Sequence, residues 1–362
     1  MRYPHPSQPK TAGPTKDLAE TQPVISCPYC QSREIIKKGQ RRKKYETVQL
    51  YFCQHCQRKF TPFITKHHSY PLNVILDALT LYNRFYSLQE TAEIMSGTYG
   101  LKVSHQTIGN WIKSFKEYLP ILKTRAALLS SYDPRKAFIE ARLLHGQVYE
   151  YQCHWAKLDY LIRRHPRLQK FFPLQDFLES VPKECPHELF RRIAKTENRS
   201  SRYQDVFNLD QLTILPRFNN SATKSARLVL QAVGSNRLRR PRLQEFMLAN
   251  DSATVAMEVP VLLTRKDINY FQKNRRFCVP LDLKPGEVIT GHIDIVQVRN
   301  GMIHILDYKP GAKREKPIEQ LTLYALALSR LTGLRIYDFK CAWFDESDYF
   351  EFYPLHVVWK NR

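Results

Sequence analysis

The chain has 362 residues, with 56 Lys and Arg against 34 Asp and Glu, and its formal net charge at neutral pH is +22. This length allows two or three domains, and the charge indicates a nucleic acid partner. We find no membrane-length apolar stretch, lipidation motif or signal peptide, so we expect no membrane partner and a cytoplasmic protein, nucleoid-associated if prokaryotic. The absence of a P-loop argues against ATP-driven translocation by this chain.

The positive charge lies mainly in the first two thirds of the chain. Residues 241–362 contain 17 basic and 15 acidic side chains, a net of +2, so the first 240 residues carry +20. This division favours a front that attracts nucleic acid and a rear in which acidic groups concentrate a metal ion.

Two Cys-x-x-Cys pairs follow a proline-rich stretch, residues 1–23, which we predict to be a disordered tail. The pairs are Cys27 with Cys30 and Cys53 with Cys56, separated by 22 residues. Four thiolates in paired turns suit a structural, tetrahedral zinc ion, which a segment this small needs in order to fold. Disulfides would require an oxidising compartment, for which there is no signal. We therefore predict a zinc ribbon over residues 24–66.

A basic run lies between the two cysteine pairs. It contains six cations within eight residues, namely Lys37, Lys38, Arg41, Arg42, Lys43 and Lys44. At the tip of a ribbon, such a run is suited to follow DNA phosphates, and a solvated face is the plain alternative. The arrangement resembles the zinc-ribbon start of many insertion-sequence transposases.

Residues 67–120 carry the signals of three helices. Leu72–Phe85 has helical apolar spacing, a Ser87–Glu90 capping box opens a second helix that Gly97 and Gly100 end, and Ser104 caps a third. We predict a helix-turn-helix whose third helix enters the major groove, with a small bundle without a ligand as the alternative. The residues of that helix expected to contact DNA are His105, Gln106, Asn110 and Lys113.

Residues 121–240 are predicted to form a basic, helical middle region. Val148–Leu161 and Glu188–Lys195 lean toward helix, and several prolines interrupt the pattern. Four further cysteines, Cys153, Cys185, Cys278 and Cys341, are spaced too widely for a typical iron–sulfur site, and we expect them to be free.

Two short apolar strands carry the strongest chemical signal. Gly291–Val296 and Ile303–Lys309 are separated by an Asn-Gly pair, which indicates a tight hairpin. Asp294, Asp307 and Lys309 lie within these otherwise apolar runs, although charged side chains are rarely buried unless they are paired or bind metal. Two carboxylates would hold a divalent cation through oxygen ligands, and Lys309 would position the attacking water or stabilise negative charge. A surface ion pair between Asp307 and Lys309 is the alternative.

The segment resembles the RecB-like branch of the PD-(D/E)XK nucleases, whose pattern is Gly-x-x-Asp, Asp-Tyr-Lys and a helix with Gln-x-x-x-Tyr. Here the pattern is Gly291 to Asp294, Asp307 to Lys309, and Gln320 with Tyr324. The resemblance covers about residues 240–355. It implies a restriction-endonuclease-like α/β core over residues 241–362, with a mixed sheet flanked by helices.

The resemblance also implies roles for individual residues. Asp294, Asp307 and a glutamate, Glu258 or Glu245, would bind Mg²⁺ or Mn²⁺, while Gln320 and Tyr324 would line the substrate side. Many relatives have a histidine before the first strand, and this chain has no histidine between His187 and His292. This departure leaves an impaired site open.

The sequence thus predicts a multidomain α+β, metal-dependent deoxyribonuclease with a zinc-ribbon and helix-turn-helix front end, linked to a mobile element or genome defence. The alternatives are a DNA-binding regulator with a degenerate nuclease fold and a DDE-type transposase, for which Asp133, Asp159 and Asp176 are the candidate carboxylates. A homodimer is also left open.

Overall fold

The computed structural model describes residues 26–61, 68–183, 196–210 and 212–359. The predicted tail, Glu188–Lys195 and Cys185 lie outside these ranges. The chain divides into two compact units, Met1–Ser69 and Tyr70–Arg362. Each unit is described separately.

The first unit is a small antiparallel sheet. Its strands are β1 (Ile35–Arg42), β2 (Thr47–Cys53) and β3 (Lys59–Phe60), in the order β1-β2-β3. The register of β1 on β2 shifts between Lys37 and Gln40, where Gly39 has a φ of +81° that suits glycine. Phe60 and the cysteines form the core, because a sheet of this size has few other apolar side chains to bury.

The second unit combines helices with one large sheet. Its helices are α1 (Leu72–Asn83), α2 (Leu88–Tyr99), α3 (His105–Ser114), α4 (Leu122–Ser131), α5 (Trp155–Arg164), α6 (Phe172–Ser180), α7 (Ser221–Val229), α8 (Asn236–Asn250), α9 (Arg265–Asn269), α10 (Ile318–Thr332) and α11 (Pro354–Val358). Its strands are β4 (Ile139–His145), β5 (Gln147–Cys153), β6 (Thr196–Arg199), β7 (Leu215–Pro216), β8 (Thr254–Thr264), β9 (Glu287–Arg299), β10 (Met302–Tyr308), β11 (Phe339–Phe344) and β12 (Tyr349–Phe352).

Helices α1 to α3 begin at the residues that their sequence signals indicate, whereas α1 ends at Asn83, two residues before the predicted Phe85. Ser87 and Glu90 form the capping box of α2, and the Ser104 side chain accepts a hydrogen bond from Thr107 N at the start of α3. The prediction that Gly97 helps to end α2 is wrong. The helix continues through Gly97 to Tyr99, and Gly100 ends it with a φ of +63°, because only this position requires a left-handed backbone.

The large sheet is mixed, as predicted. Its strand order is β4-β5-β8-β9-β10-β11-β12-β7, with β6 parallel to β9. Strands β9 and β10 form the predicted hairpin, in which Asn300 (φ +53°) and Gly301 (φ +75°) make the two-residue turn. Strand β11 is parallel to β10, and the two are connected through α10. The sheet is buried between helices, and its apolar side chains join those of α5, α6 and α10 in one core.

The helical prediction for Val148–Leu161 is wrong in its first half. Gln147–Cys153 is strand β5, which pairs with β4 on one side and β8 on the other, and only Trp155–Arg164 is helical. Near the C-terminal end of β5, buried and partly exposed residues alternate, and Tyr151 and Cys153 are buried. They alternate because only one face of this strand covers the core. The sheet of the predicted 241–362 core therefore takes strands from the predicted middle region.

None of the helices within the described ranges has the length and apolar character needed to cross a membrane.

Candidate functional site

A pocket of about 240 Å³ opens at one end of the large sheet. It is lined by all six residues predicted to be catalytic: Glu258, Asp294, Asp307, Lys309, Gln320 and Tyr324. Glu245 does not line it, and the Arg242 Nη1 atom lies 3.6 Å from the Glu245 Oε2 atom. Of the two glutamates that the sequence left open, the pocket therefore contains Glu258.

Strand register places the three carboxylates on one sheet face. Met257 pairs with Ile295 and Val259 with Ile293, so Glu258 lies opposite Asp294. Leu306 pairs with Ile295, which is the last pair of the β9–β10 register. Asp307 follows Leu306 and Asp294 precedes Ile295, so these two residues are also neighbours. Residues opposite each other in antiparallel strands share a face, and their side chains therefore converge.

The backbone of Glu258 is unusual for a strand residue. Its φ is +50°, although the surrounding residues Thr254–Thr264 form a buried strand. A non-glycine residue in the left-handed region costs about 1–3 kcal/mol, and such strain is concentrated at functional sites. The fold thus maintains an unfavourable conformation at the residue that faces Asp294.

Burial and the charge of Asp294 raise the pKa values of the two neighbouring carboxylates. Burial, reinforced by the charge of Asp294, raises the pKa of Glu258 to about 7, and the Arg240 charge only partly opposes this effect. Burial and Asp294 also raise the pKa of Asp307 well above its usual range, against the opposing charge of Lys309. Three acidic groups held in a desolvated pocket are therefore short of positive charge.

Two carboxylate oxygens in this pocket lack hydrogen bonds. Glu258 Oε2 and Asp307 Oδ2 are buried without a hydrogen-bond partner. The Lys309 Nζ atom lies 3.1 Å from Asp307 Oδ2, but this ion pair does not have hydrogen-bond geometry. Carboxylate oxygens are the donors that Mg²⁺ and Mn²⁺ prefer, and these two are left without a hydrogen bond.

Helix α10 closes one side of the pocket through Gln320 and Tyr324. The Gln320 Nε2 atom donates a hydrogen bond to Tyr324 Oη at 2.8 Å, so the two side chains are aligned one helical turn apart. The Tyr324 ring lies directly against Gly291, where a Cβ atom would come within 2.2 Å of the ring. The glycine of the Gly-x-x-Asp pattern is thus required because the tyrosine occupies the space of a side chain.

Helix α8 supplies two residues that contact the carboxylates and that the sequence analysis did not identify; of the two, only Arg240 lines the pocket. The Gln244 Nε2 atom donates to Glu258 Oε1 at 2.8 Å and to the Asp294 carbonyl oxygen at 3.1 Å. The Arg240 Nη1 atom lies 3.3 Å from Asp294 Oδ1. No local signal distinguishes these residues from the other polar residues of α8, because only the packing of α8 on β8 turns them toward the carboxylates.

Strands β4 and β5 form another wall that sequence reasoning missed. Tyr149 stacks on His292 with ring centroids 3.5 Å apart and planes 4° apart, and the His145 Nδ1 atom lies 3.3 Å from His292 Nε2. Of these residues, only His292 could have been found from the sequence, because it lies within the Gly291–Asp294 segment.

The family model of the PD-(D/E)XK nuclease superfamily matches residues 165–346, which is half of the chain. The chain belongs to this superfamily. The match begins upstream of residue 241, in agreement with a sheet that includes strands from the middle region. It also includes Glu258, Asp294, Asp307 and Lys309, whereas the wall formed by β4 and β5 lies upstream of the match.

Part of the chain is also similar to a protein from a mobile element. The insertion element ISM1 uncharacterized 48.3 kDa protein of Methanobrevibacter smithii is 31% identical over 100 residues. The similarity covers 24% of this chain and 25% of that relative, so the chain spans about a quarter of its length. No solved structure matches the chain.

The four N-terminal cysteines form a cluster outside the PD-(D/E)XK match. Their sulfur atoms all lie within 4.8 Å of one another, with Cys27 and Cys56 Sγ 3.5 Å apart and Cys30 and Cys53 Sγ 3.6 Å apart. A disulfide would require about 2.05 Å, whereas a tetrahedral zinc ion with 2.3 Å bonds requires sulfurs about 3.8 Å apart. The cluster therefore has the dimensions of a zinc site. The later cysteines that the structure describes, Cys153, Cys278 and Cys341, are free.

The residues predicted to contact DNA lie at the surface of their respective units. In the basic run, all except Lys43 are exposed, and the Lys43 Nζ atom forms a 2.8 Å ion pair with Glu46 Oε1. On α3, His105, Gln106, Asn110 and Lys113 are exposed, whereas Ile108 and Trp111 are buried against the unit. This orientation leaves the polar face of α3 available for a partner.

Asp133, Asp159 and Asp176, the carboxylates considered for a DDE-type transposase, do not line the pocket. Asp159 accepts hydrogen bonds from Tyr132, Arg163 and Gln175, and Asp133 caps a short 3-10 helix. These contacts are structural.

Proposed function

We propose that the protein is a metal-dependent DNA nuclease that hydrolyses phosphodiester bonds. The observation that carries the proposal is the convergence of Glu258, Asp294, Asp307 and Lys309 in one pocket of a PD-(D/E)XK domain. A purely structural ion pair would not explain the strained backbone of Glu258 or the buried carboxylate oxygens without partners.

Glu258, Asp294 and Asp307 would hold Mg²⁺ or Mn²⁺. When bound, the cation lowers the pKa of the attacking water and neutralises charge on the phosphoryl oxygens. The Lys309 amine, which lies beside Asp307, would position the attacking water and stabilise the negative charge that develops in the transition state. Gln320 and Tyr324 line the opposite side of the pocket and are suited to orient the DNA strand.

The front of the chain would bring DNA to this pocket. The cysteine cluster would hold a structural Zn²⁺, its basic run would contact phosphates, and the exposed residues of α3 would contact base edges as in a helix-turn-helix. The similarity to an insertion element protein supports a role in a mobile element, in which the chain would act on DNA.

Cleavage of labelled DNA tests the proposal. Purified zinc-loaded protein is incubated with supercoiled and linear DNA, with and without added Mg²⁺ or Mn²⁺, beside the Asp307→Ala variant. We expect metal-dependent cleavage by the wild-type protein only, and conversion of closed circles would establish endonuclease action. Binding without cleavage under either metal would instead favour a DNA-binding regulator with an inactive nuclease fold.

A further inference from the structure

Arg240 reaches the carboxylate cluster from the solvent side. Its Nη1 atom lies 3.3 Å from Asp294 Oδ1, and its Nε atom lies 3.9 Å from Glu258 Oε1. The two acidic side chains are 6% and 8% exposed, whereas that of Arg240 is 46% exposed. Arg240 is therefore the solvent-accessible partner of two nearly buried anions.

Arg240 contacts one oxygen of each of two carboxylates that a divalent cation would need, Asp294 Oδ1 and Glu258 Oε1. Such a cation binds carboxylates at about 2.0–2.6 Å, closer than Arg240 approaches them, and it carries twice the charge. Two cations in one desolvated cluster repel each other strongly. Arg240 and the metal ion are thus alternative partners of Asp294 and Glu258.

A released Arg240 would still lie within the pocket. It is one of the residues that line the pocket, together with Lys309 and Arg199. The planar guanidinium presents several N–H donors in a fork that matches a phosphate group, which a lysine amine does not reproduce. DNA in the pocket offers such a group at the bond to be cut.

We propose that Arg240 is an exchangeable residue of this active site, which neutralises Asp294 and Glu258 until a divalent cation binds and then binds the scissile phosphate. The inference rests on the proposed nuclease function and adds to it a substrate-binding residue. It also explains how Asp294 and Glu258 remain together before the metal ion arrives.

Arg242 provides a matched control on the same helix. Its side chain is 45% exposed, nearly the same fraction as for Arg240, and its Nη1 atom lies 3.2 Å from Asp77 Oδ1 on α1. Arg242 does not line the pocket. Replacement of either arginine by methionine removes one positive charge from α8, but only Arg240→Met removes it from the carboxylates.

The first measurement is the affinity for Mn²⁺ by calorimetry, with the full, zinc-loaded chain and without DNA. We expect Arg240→Met to bind Mn²⁺ at least about tenfold more tightly than the wild type, since the competing charge is gone. Arg242→Met should bind like the wild type. Equal or weaker binding by Arg240→Met would overturn the exchange, and no Mn²⁺ binding by any variant would overturn the metal site as well.

The second measurement is the rate of DNA cleavage at saturating Mn²⁺. We expect Arg240→Met to lose at least about tenfold in kcat/KM despite its tighter metal binding, and Arg240→Lys to recover part of the loss, because it restores the charge but not the fork. Arg242→Met should retain its rate. An undiminished rate in Arg240→Met would overturn the phosphate role. If the wild type binds Mn²⁺ but does not cut DNA, the nuclease proposal fails, while the Mn²⁺ affinities still decide the exchange.

Discussion

Gly291 and Tyr324 pack so closely that any side chain at residue 291 would overlap the tyrosine ring. A Cβ atom there would lie 2.2 Å from Tyr324 Cε1 and 2.9 Å from Ser200 Oγ. Two parts of the family pattern, the glycine of β9 and the tyrosine of α10, are therefore a single packing contact. The contact sets the position of the Tyr324 ring, which also lines the pocket.

Gly291→Ala should displace Tyr324 and impair both stability and cleavage. Overpacking of this kind costs about 1–3 kcal/mol, and the loss in free energy of unfolding should be measurable by urea denaturation. Gly97→Ala is the control, since Gly97 lies within helix α2 with open space around its Cβ position. That variant should be neutral or more stable by up to about 1 kcal/mol. Equal effects of the two substitutions would contradict the packing argument.

Asp307→Asn and Lys309→Met should each reduce the rate of cleavage by about 10²-fold or more, for different reasons. Asp307→Asn should weaken Mn²⁺ binding, whereas Lys309→Met should spare it and lower kcat. Calorimetry with Mn²⁺ and single-turnover cleavage separate the two effects. In the absence of added Mg²⁺ or Mn²⁺, Asp307→Asn should also stabilise the fold, because it removes a buried carboxyl whose pKa is raised by burial and by Asp294. A destabilised Asp307→Asn variant would indicate a structural ion pair instead.

The stability of the protein without added Mg²⁺ or Mn²⁺ should fall as the pH rises from about 5 to 8. The pKa of Glu258 is about 7 in the folded state and 4.5 in its ordinary environment. The folded protein therefore binds this proton more tightly, and the stabilising contribution is present below pH 4.5 and lost as the pH rises through 7. The difference corresponds to about 3 kcal/mol. Glu258→Gln should show a flatter dependence in urea denaturation at several pH values, and parallel curves for the two proteins would refute the prediction.

The cysteine cluster should bind one zinc ion per chain. Cys27→Ser or Cys53→Ser removes one of four sulfur ligands that lie within 4.8 Å of one another, and the first unit should then unfold. Metal analysis and circular dichroism of reduced protein measure the two effects. Because the cysteines belong to a different unit from the pocket, the Mn²⁺ affinity of the pocket should not change. Less than half an equivalent of zinc in the wild type would count against the site.

Neutralisation of the basic run should weaken DNA binding and reduce its salt dependence. Replacement of Lys37, Lys38, Arg41, Arg42, Lys43 and Lys44 by glutamine removes up to six phosphate contacts, so the slope of log K against log salt should become less negative by up to about 5. Gln106→Ala with Asn110→Ala on α3 should instead lower the preference for specific sequences and leave the slope unchanged. Fluorescence anisotropy at several salt concentrations measures both, and an unchanged slope in the first variant would mean that the run is a solvated loop.

The sequence by itself determined the features that depend on neighbouring residues. The Asn300–Gly301 turn, the Ser87–Glu90 capping box and the Cys-x-x-Cys spacing are all present as predicted, because each depends on backbone preferences or ligands a few residues apart. The PD-(D/E)XK pattern was also recognisable, since strand alternation and helical periodicity predict the faces on which Asp294, Asp307 and Tyr324 lie.

Tertiary structure alone decided which distant residues complete the pocket. Strand β5 was mistaken for a helix because its conformation depends on pairing with β8, about a hundred residues later in the chain. Arg240 meets Asp294 across 54 residues, and His145 meets His292 across 147. The choice between Glu245 and Glu258 also depended on tertiary packing. Once α8 packs against α1 and β8, Glu245 does not line the pocket, whereas Glu258 does. Such contacts follow from the burial of shared apolar surface by the whole unit, and no local preference encodes them.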